Sequence, residues 1–303
     1  MRWRGPLHAV SLLFAAAVAC SLGWAPPASR ARPAAPGERV VFFDDFSGPT
    51  LDRTHWNVEV TGRSIPSFNQ EAQAYVDSPD TIYIAPHVRG ARRGALALHP
   101  RHRPGTQAPD GHTYDFVSGR ITTAAKITLR YGTAAARIKL PDGPGIWPAF
   151  WQLGQNIDQV GWPACGETDI MEYVGERAWT STAVHGPGYS GATPLTRRNP
   201  FPQGAATRWH VYAASWTPDT IVFRVDRRVV YTVTRADVEG YGPWAFDQAK
   251  FFLLNTAVGG LYPTAVNGVR EPYLGLPQST VDLIAAGTGR MLVDWVKVTE
   301  PRS

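Results

Sequence analysis

The chain has 303 residues, 44% apolar and 18% charged, with a net charge of +5. That composition supports a sizeable core and excludes a disordered chain. Much of the basic excess is arginine in the N-terminal third with no stripe of aromatics between, which argues against nucleic acid as a partner.

Residues 1–36 read as an export signal followed by a spacer. Arg2 and Arg4 supply the positive start, and residues 9–19 form an apolar run too short to span a bilayer. A Pro/Ala-rich stretch then runs to Pro36. Ala17-Val18-Ala19-Cys20 is similar to a lipobox, with Ala17 where leucine is usual. Two readings stay open: secretion of a cleaved protein, or a lipid anchor at Cys20. No other run is apolar for long enough to cross a membrane. With 2 cysteines in all, Cys165 is left as a lone thiol and no disulfide framework is expected.

From residue 40 the pattern is strand, turn, strand. Residues 40–46 end at the turn signal Ser47-Gly48-Pro49, and residues 72–76, 81–84 and 95–99 follow as short strands. Residues 100–115 read as a polar loop, and 119–123 and 133–140 as two more strands. Residues 210–216 alternate, 220–225 and 229–233 form a hairpin, and 251–258 are a long, largely apolar run suited to a strand buried on both faces. The last strand is expected at 291–298. Only residues 235–241 suggest a helix, and a short one. With 29 glycines and 26 prolines, this spacing predicts an all-β fold, an antiparallel sandwich or barrel, with residues 37–303 as one domain. There is no internal repeat.

One stretch asks for chemistry. Glu167-Thr168-Asp169-Ile170-Met171-Glu172 holds three carboxylates in six residues. Strand alternation puts Glu167 and Asp169 on one face, but Glu172 has the opposite parity. One extra residue, a β-bulge near Met171, brings all three together. Like charges so close cannot all ionise freely. On these residues alone, a solvated acidic edge strand and a catalytic strand both remain open.

Other segments bear on that choice. Glu167 to Glu172 resembles the Glu-x-Asp-Ile-Met-Glu signature of glycoside hydrolase family 16 in its laminarinase-like branch, which the extra Met171 separates from the lichenase branch. Gly145-Ile146-Trp147-Pro148-Ala149-Phe150-Trp151 is similar to the segment that lines that family's cleft. Phe68-Asn69-Gln70-Glu71, Gly119-Arg120-Ile121, Tyr131-Gly132, Trp209-His210-Val211-Tyr212, Asn255-Thr256-Ala257-Val258-Gly259-Gly260 and Val293-Asp294-Trp295-Val296 follow in the family's order.

The resemblance implies a jelly-roll (concanavalin-like) β-sandwich with a glycan cleft; a secreted protein is expected from the leader, and a monomer is expected as well. It implies retaining, endo-acting hydrolysis of internal β-1,3 bonds in laminarin-like β-glucans. Glu167 matches the nucleophile, Glu172 the acid/base and Asp169 the assisting carboxylate. Retention needs the two outer carboxyls about 5–5.5 Å apart. Trp147 and Trp151, four apart, share a strand face as sugar platforms or core fillers. Trp162 is a further candidate on the loop before the motif. His185 matches a family histidine near the reacting sugars, with a surface-loop histidine as the alternative. Asn69, Glu71 and Arg120 either touch sugar hydroxyls or brace the sheet.

Catalysis is expected to need no cofactor. A structural calcium would use Asp45 and Asp294 together with carbonyls and water, since calcium takes about six to eight oxygens. The chain departs from the family at Thr168, at Gln70, and at residues 133–136, where the loss of Arg and Glu is expected to thin the support of the cleft. Mixed-linkage glucan, galactan, transglycosylation and a non-catalytic glycan-binding jelly roll stay as alternatives.

Overall fold

The computed structural model describes residues 37–302, so the leader, the spacer and Cys20 lie outside the described residues. Two antiparallel sheets face each other. From edge to edge the first runs Leu195–Pro200, Trp179–His185, Glu167–Glu172, Ile146–Gly154, Lys250–Val258, Arg120–Thr122 and Asn57–Val58. The second runs Arg228–Thr234, Thr220–Val225, Trp209–Trp216, Gly132–Lys139, Met291–Pro301, Ala95–Leu98 and Ile82–Ala85, with Glu38–Asp44 also paired to Met291–Pro301.

Alternation sets the faces. Phe150, Ile170, Val184 and Leu254 of the first sheet meet Leu96, Ile138, Tyr212 and Val293 of the second in one apolar core. Burying such side chains stabilises the sandwich by about 1.5–3 kcal/mol each. Lys250–Val258 is buried at all nine positions, one residue beyond the 251–258 run expected to be buried on both faces. In the first sheet its neighbours are Ile146–Gly154 and Arg120–Thr122.

Several expectations need correcting. Residues 100–115 are not a loop: Arg101–Gln107 and Thr113–Ser118 form a hairpin, with Gln73–Tyr75 parallel to its second strand. Pro104 and Gly105 mask the alternation, because the register slips between His102 and Thr106. Trp179–His185 and Leu195–Pro200 are strands that sequence reading missed, and they complete one edge of the first sheet. Residues 133–136 lie in the second sheet, where Ala134 and Ala136 fill the core and the Thr133 hydroxyl meets Ser215 Oγ at 2.8 Å. The loss of Arg and Glu there leaves the cleft untouched.

The predicted helix forms over Arg235–Glu239, started by a capping box between Thr234 and Asp237. Leu261–Asn267 and Gln278–Ala285 are helices too short for their periodicity to register in the sequence. The second buries Val281 and Ile284 against Phe116, Ile146, Val258 and Leu276. No described helix is long and apolar enough to cross a membrane.

Candidate active site

The parity problem is solved by a bulge. Against Ile146–Gly154, Phe150 pairs with Met171 but Trp151 pairs with Asp169, which leaves Ile170 as the extra residue. The same slip occurs against Trp179–His185, between Asp169 and Glu172. Ile170 and Met171 are both buried in the core, and Thr168 is turned away from the carboxylates with 1% exposure. Glu167, Asp169 and Glu172 therefore share the outer face. The strand enters through Gly166, whose φ of +69° and contact with the Ala245 carbonyl exclude a side chain; a Cβ there would lie 2.0 Å from that oxygen.

Each outer carboxylate has an indole donor. Trp147 Nε1 donates to Glu172 Oε1 at 3.0 Å, and Trp162 Nε1 donates to Glu167 Oε2 at 2.9 Å. His185 ends its strand directly opposite Glu167, with Nε2 3.1 Å from Asp169 Oδ2 and 3.8 Å from Glu167 Oε1. It is a strand residue within the carboxylate cluster, not a surface-loop histidine.

Burial comes first in the electrostatics. It pushes the Glu167 carboxyl up to about 8, reinforced by Asp169 and opposed by His185 and the Trp162 hydrogen bond. Asp169 is raised by burial and lowered by Glu167 and Lys250. Glu172 is raised by burial, then by Asp169. Three carboxyls this close and this dry hold protons that isolated ones would have lost.

Lys250 is the cation that sequence reading missed. It lies on the core face opposite Gly154, 1% exposed, and donates from Nζ to the Gly166 carbonyl at 3.1 Å. Its ammonium also sits 5.0 Å from the Phe246 ring centre. Burial pulls it down to about 8, while Cys165, Glu167 and Asp169 favour its charged form. An apolar-looking strand start gave no sign of it. Cys165 itself is free and fully buried.

Cross-strand partners share a face, so one row crosses the sheet as Arg198, Ser181, Glu172, Ala149, Asn255 and Arg120. Trp147 and Trp151 both stand on that face, half-buried. Trp147 packs edge-on against Tyr262, and Trp151 donates to Asn255 Oδ1 at 2.7 Å. Arg120 lies 7% exposed beneath Trp151, 4.8 Å from its ring, between Phe68 and Tyr75, and ion-paired to Glu59. Its Nε is committed to Glu59 and its guanidinium plane to the Trp151 platform, which places it as a brace beneath that ring. Asn69 is exposed in a left-handed turn at φ +51°, its amide 3.3 Å from Glu71 Oε1. Glu71 is half-buried, accepting from Gln73 Nε2 at 2.7 Å and from the Tyr75 hydroxyl at 3.3 Å, and burial raises its carboxyl.

At the Glu172 side, Arg198 covers the Trp179 ring at 4.3 Å and Ser181 Oγ meets the Tyr262 hydroxyl at 3.0 Å. The unrecognised strands carry these residues, and only their pairing brings them to the cleft.

The calcium expectation does not fit these residues. Asp294 is the bulged residue of its strand and wholly buried. Its Oδ1 accepts from the Arg92 backbone N–H at 2.7 Å and its Oδ2 from Arg137 Nη1 at 2.7 Å. Arg137 Nη1 also donates to the Gly90 carbonyl at 2.6 Å. A guanidinium thus already supplies the positive charge between the carboxylate and the carbonyl. Asp45 borders a separate surface hollow with Asp44, Ser47 and Asp52.

The chain is similar to known proteins. A β-glucanase of Rhodothermus marinus is 31% identical over 86% of this chain and 88% of its own length. A glucan endo-1,3-β-glucosidase A1 of Niallia circulans is 31% identical over 88% of this chain, which spans 38% of that longer protein. The endo-β-1,3-glucanase structure from Pyrococcus furiosus superposes with a TM-score of 0.75 at 34% identity, covering 88% of this chain and 95% of that one. The family profile for glycosyl hydrolases family 16 matches residues 91–264. With the bulged carboxylate strand and its tryptophan floor, these likenesses make the chain a member of glycosyl hydrolases family 16.

Proposed function

We propose that the protein is an endo-acting retaining β-glucanase that cleaves internal β-1,3-glucosidic bonds of laminarin-like glucans. The observation that carries this reading is the bulge that brings Glu167 and Glu172 to one face, with Asp169 between them and an indole donor on each.

Two carboxyls suffice for the chemistry and no cofactor enters it. Glu172, kept protonated by burial, gives its proton to the glycosidic oxygen as the carboxylate of Glu167 attacks the anomeric carbon. The C–O bond to the leaving sugar breaks and a glycosyl ester on Glu167 forms. Glu172, now ionised, takes a proton from water; the water oxygen attacks the same carbon and frees Glu167. Two inversions give net retention. Asp169 shares a proton with Glu167 while the nucleophile waits, so that one negative charge is spread over the pair. His185 offsets that charge from the facing strand.

Trp147 and Trp151 offer ring surface to pyranose faces. A cleft face that extends from Arg198 to Arg120 across six strands suits binding in the middle of a chain. The β-1,3 preference is supported by the names of the Niallia and Pyrococcus relatives. The leader-like residues 1–36 support export.

The test is a panel of laminarin, mixed-linkage glucan and galactan with product analysis, run beside Glu167→Gln and Glu172→Gln. Short β-1,3 oligomers with retained configuration in the first-formed product, seen by NMR, are expected from the parent alone. Turnover that survives in Glu167→Gln overturns the mechanism. Binding without cleavage by the parent favours a glycan-binding protein.

A further inference from the structure

The face of the second sheet that points away from the core carries a strongly basic pocket. Trp209, Lys139, Leu292, Ala97 and Tyr83 are successive cross-strand partners and form one row on that face. The adjacent row, Ile138, Val293 and Leu96, points into the core between the sheets. The pocket is therefore on the far side of the sandwich from the carboxylates.

A loop beside this row borders an open hollow of about 380 Å3, lined by His87, Arg89, Lys139 and Arg290. No carboxylate lines it. Among the described residues none of these four is ion-paired. One wall is organised: Arg290 Nη1 donates to the Tyr83 hydroxyl at 3.1 Å, which meets His99 Nδ1 at 2.9 Å.

The loop is pinned rather than draped. Trp209 Nε1 donates to the Arg89 carbonyl at 3.0 Å, Arg137 donates to the Gly90 carbonyl, and Asp294 accepts the Arg92 N–H. Gly90, at φ +86°, presses so close to Trp209 that a Cβ would lie 2.9 Å from its indole nitrogen. Two arginines and a lysine are thus gathered around one hollow with no carboxylate in its lining. Guanidinium and ammonium groups in such a setting select phosphate, sulfate and carboxylate oxygens. Tyr83, Pro86, Val88 and Leu292 supply an apolar wall for the body that bears the anion. The hollow lies in the size range of small-ligand sites, roughly 300–1,000 Å3, enough for a sugar ring.

We propose that this pocket binds the oxyanion groups of an acidic polysaccharide, a second carbohydrate contact separate from the cleft. It holds an acidic polymer while the cleft works on a neutral glucan, and it rests on geometry independent of the catalytic reading.

The experiment is affinity electrophoresis through polygalacturonate, with and without inorganic phosphate as competitor. The proteins are the parent, the Lys139→Gln/Arg290→Gln double variant and an Arg228→Gln control in the distant hairpin. Retardation of the parent, reversed by phosphate, is expected. Both side chains are exposed, so solvent weakens each contact, and the double variant should need about tenfold more polymer for half-retardation. The control should match the parent, and unchanged melting temperatures show that all three are folded. Equal retardation of the double variant, or an equal loss in the control, overturns the proposal. Phosphate binding without retention by the polymer removes the carbohydrate occupant.

Discussion

Trp162, exposed on the loop before the bulged strand, donates its indole N–H to Glu167 Oε2 at 2.9 Å, as Trp147 does to Glu172 from the neighbouring strand. The two donors come from different kinds of structure. Trp147 is fixed by a sheet, whereas Trp162 is about half exposed and reaches inward from its loop. The proposed nucleophile thus takes part of its stabilisation from a residue outside the sheet.

Trp162→Phe keeps the ring and removes the donor. The hydrogen bond lowers the Glu167 carboxyl, so without it the protonated, inactive form persists to higher pH. A charged acceptor makes the bond worth about 1.5–3 kcal/mol, and exposure favours the lower end. We expect kcat/KM on laminarin to fall about tenfold, with the acid limb of its pH profile moved upward. A tenfold loss with an unmoved acid limb would assign Trp162 to sugar binding instead.

Glu172→Gln should abolish turnover and yet stabilise the protein. The carboxyl is raised by burial from an ordinary 4.5. In the unfolded chain it ionises above that value, while the folded site holds its proton. The resulting penalty grows as pH rises from about 4.5 through the raised value, and at pH 4 it is absent. We expect the melting temperature of Glu172→Gln to exceed the parent's by about 3 °C or more at pH 8, and to equal it at pH 4. Equal melting at both pH values would show that Glu172 ionises freely.

Lys250→Met tests the buried cation. Burial depresses the ammonium from 10.5 to about 8, so its stability penalty appears as pH falls from the unfolded value through 8 and is complete below it. Methionine fills similar space without that cost, and the melting temperature at pH 7 should rise. The loss of the cation raises Asp169, so the acid limb of kcat/KM should move to higher pH while the parent and variant converge above pH 8. Lys250→Arg, keeping the charge, should hold the limb near the parent's. A variant that melts lower with an unmoved limb would reduce Lys250 to a packing residue.

A chelator should leave the melting temperature unchanged, because Arg137 already occupies both the Asp294 carboxylate and the Gly90 carbonyl. Arg137→Ala strands a wholly buried carboxylate, and breaking such a pair costs about 3–5 kcal/mol. We expect a large loss of thermal stability, measured by calorimetry. Destabilisation by chelator in the parent would reinstate a bound cation.

Much of the site could be read along the chain. Parity alone demands an extra residue between Asp169 and Glu172, and the pairing leaves Ile170 over, one position from the residue expected. The fold class, the doubly buried Lys250–Val258 strand and the shared face of Trp147 and Trp151 follow from the same local periodicity. Where a Pro-Gly pair broke the alternation at residues 104–105, a hairpin was hidden. Where a strand was polar, as at Leu195–Pro200, it left no pattern at all.

What the chain alone determines is therefore which way a side chain faces, since that depends only on the two-residue repeat and its interruptions. What it meets there is decided by register between strands far apart in sequence. Glu167 faces outward by parity, but His185 stands opposite it only because residue 167 pairs with 185. Asp294 invites a cation by its chemistry, but the neighbouring strand brings Arg137 to fill that place. Lys250 precedes an apolar run, and only the tertiary fold brings the Gly166 carbonyl within 3.1 Å of its ammonium beneath the catalytic strand.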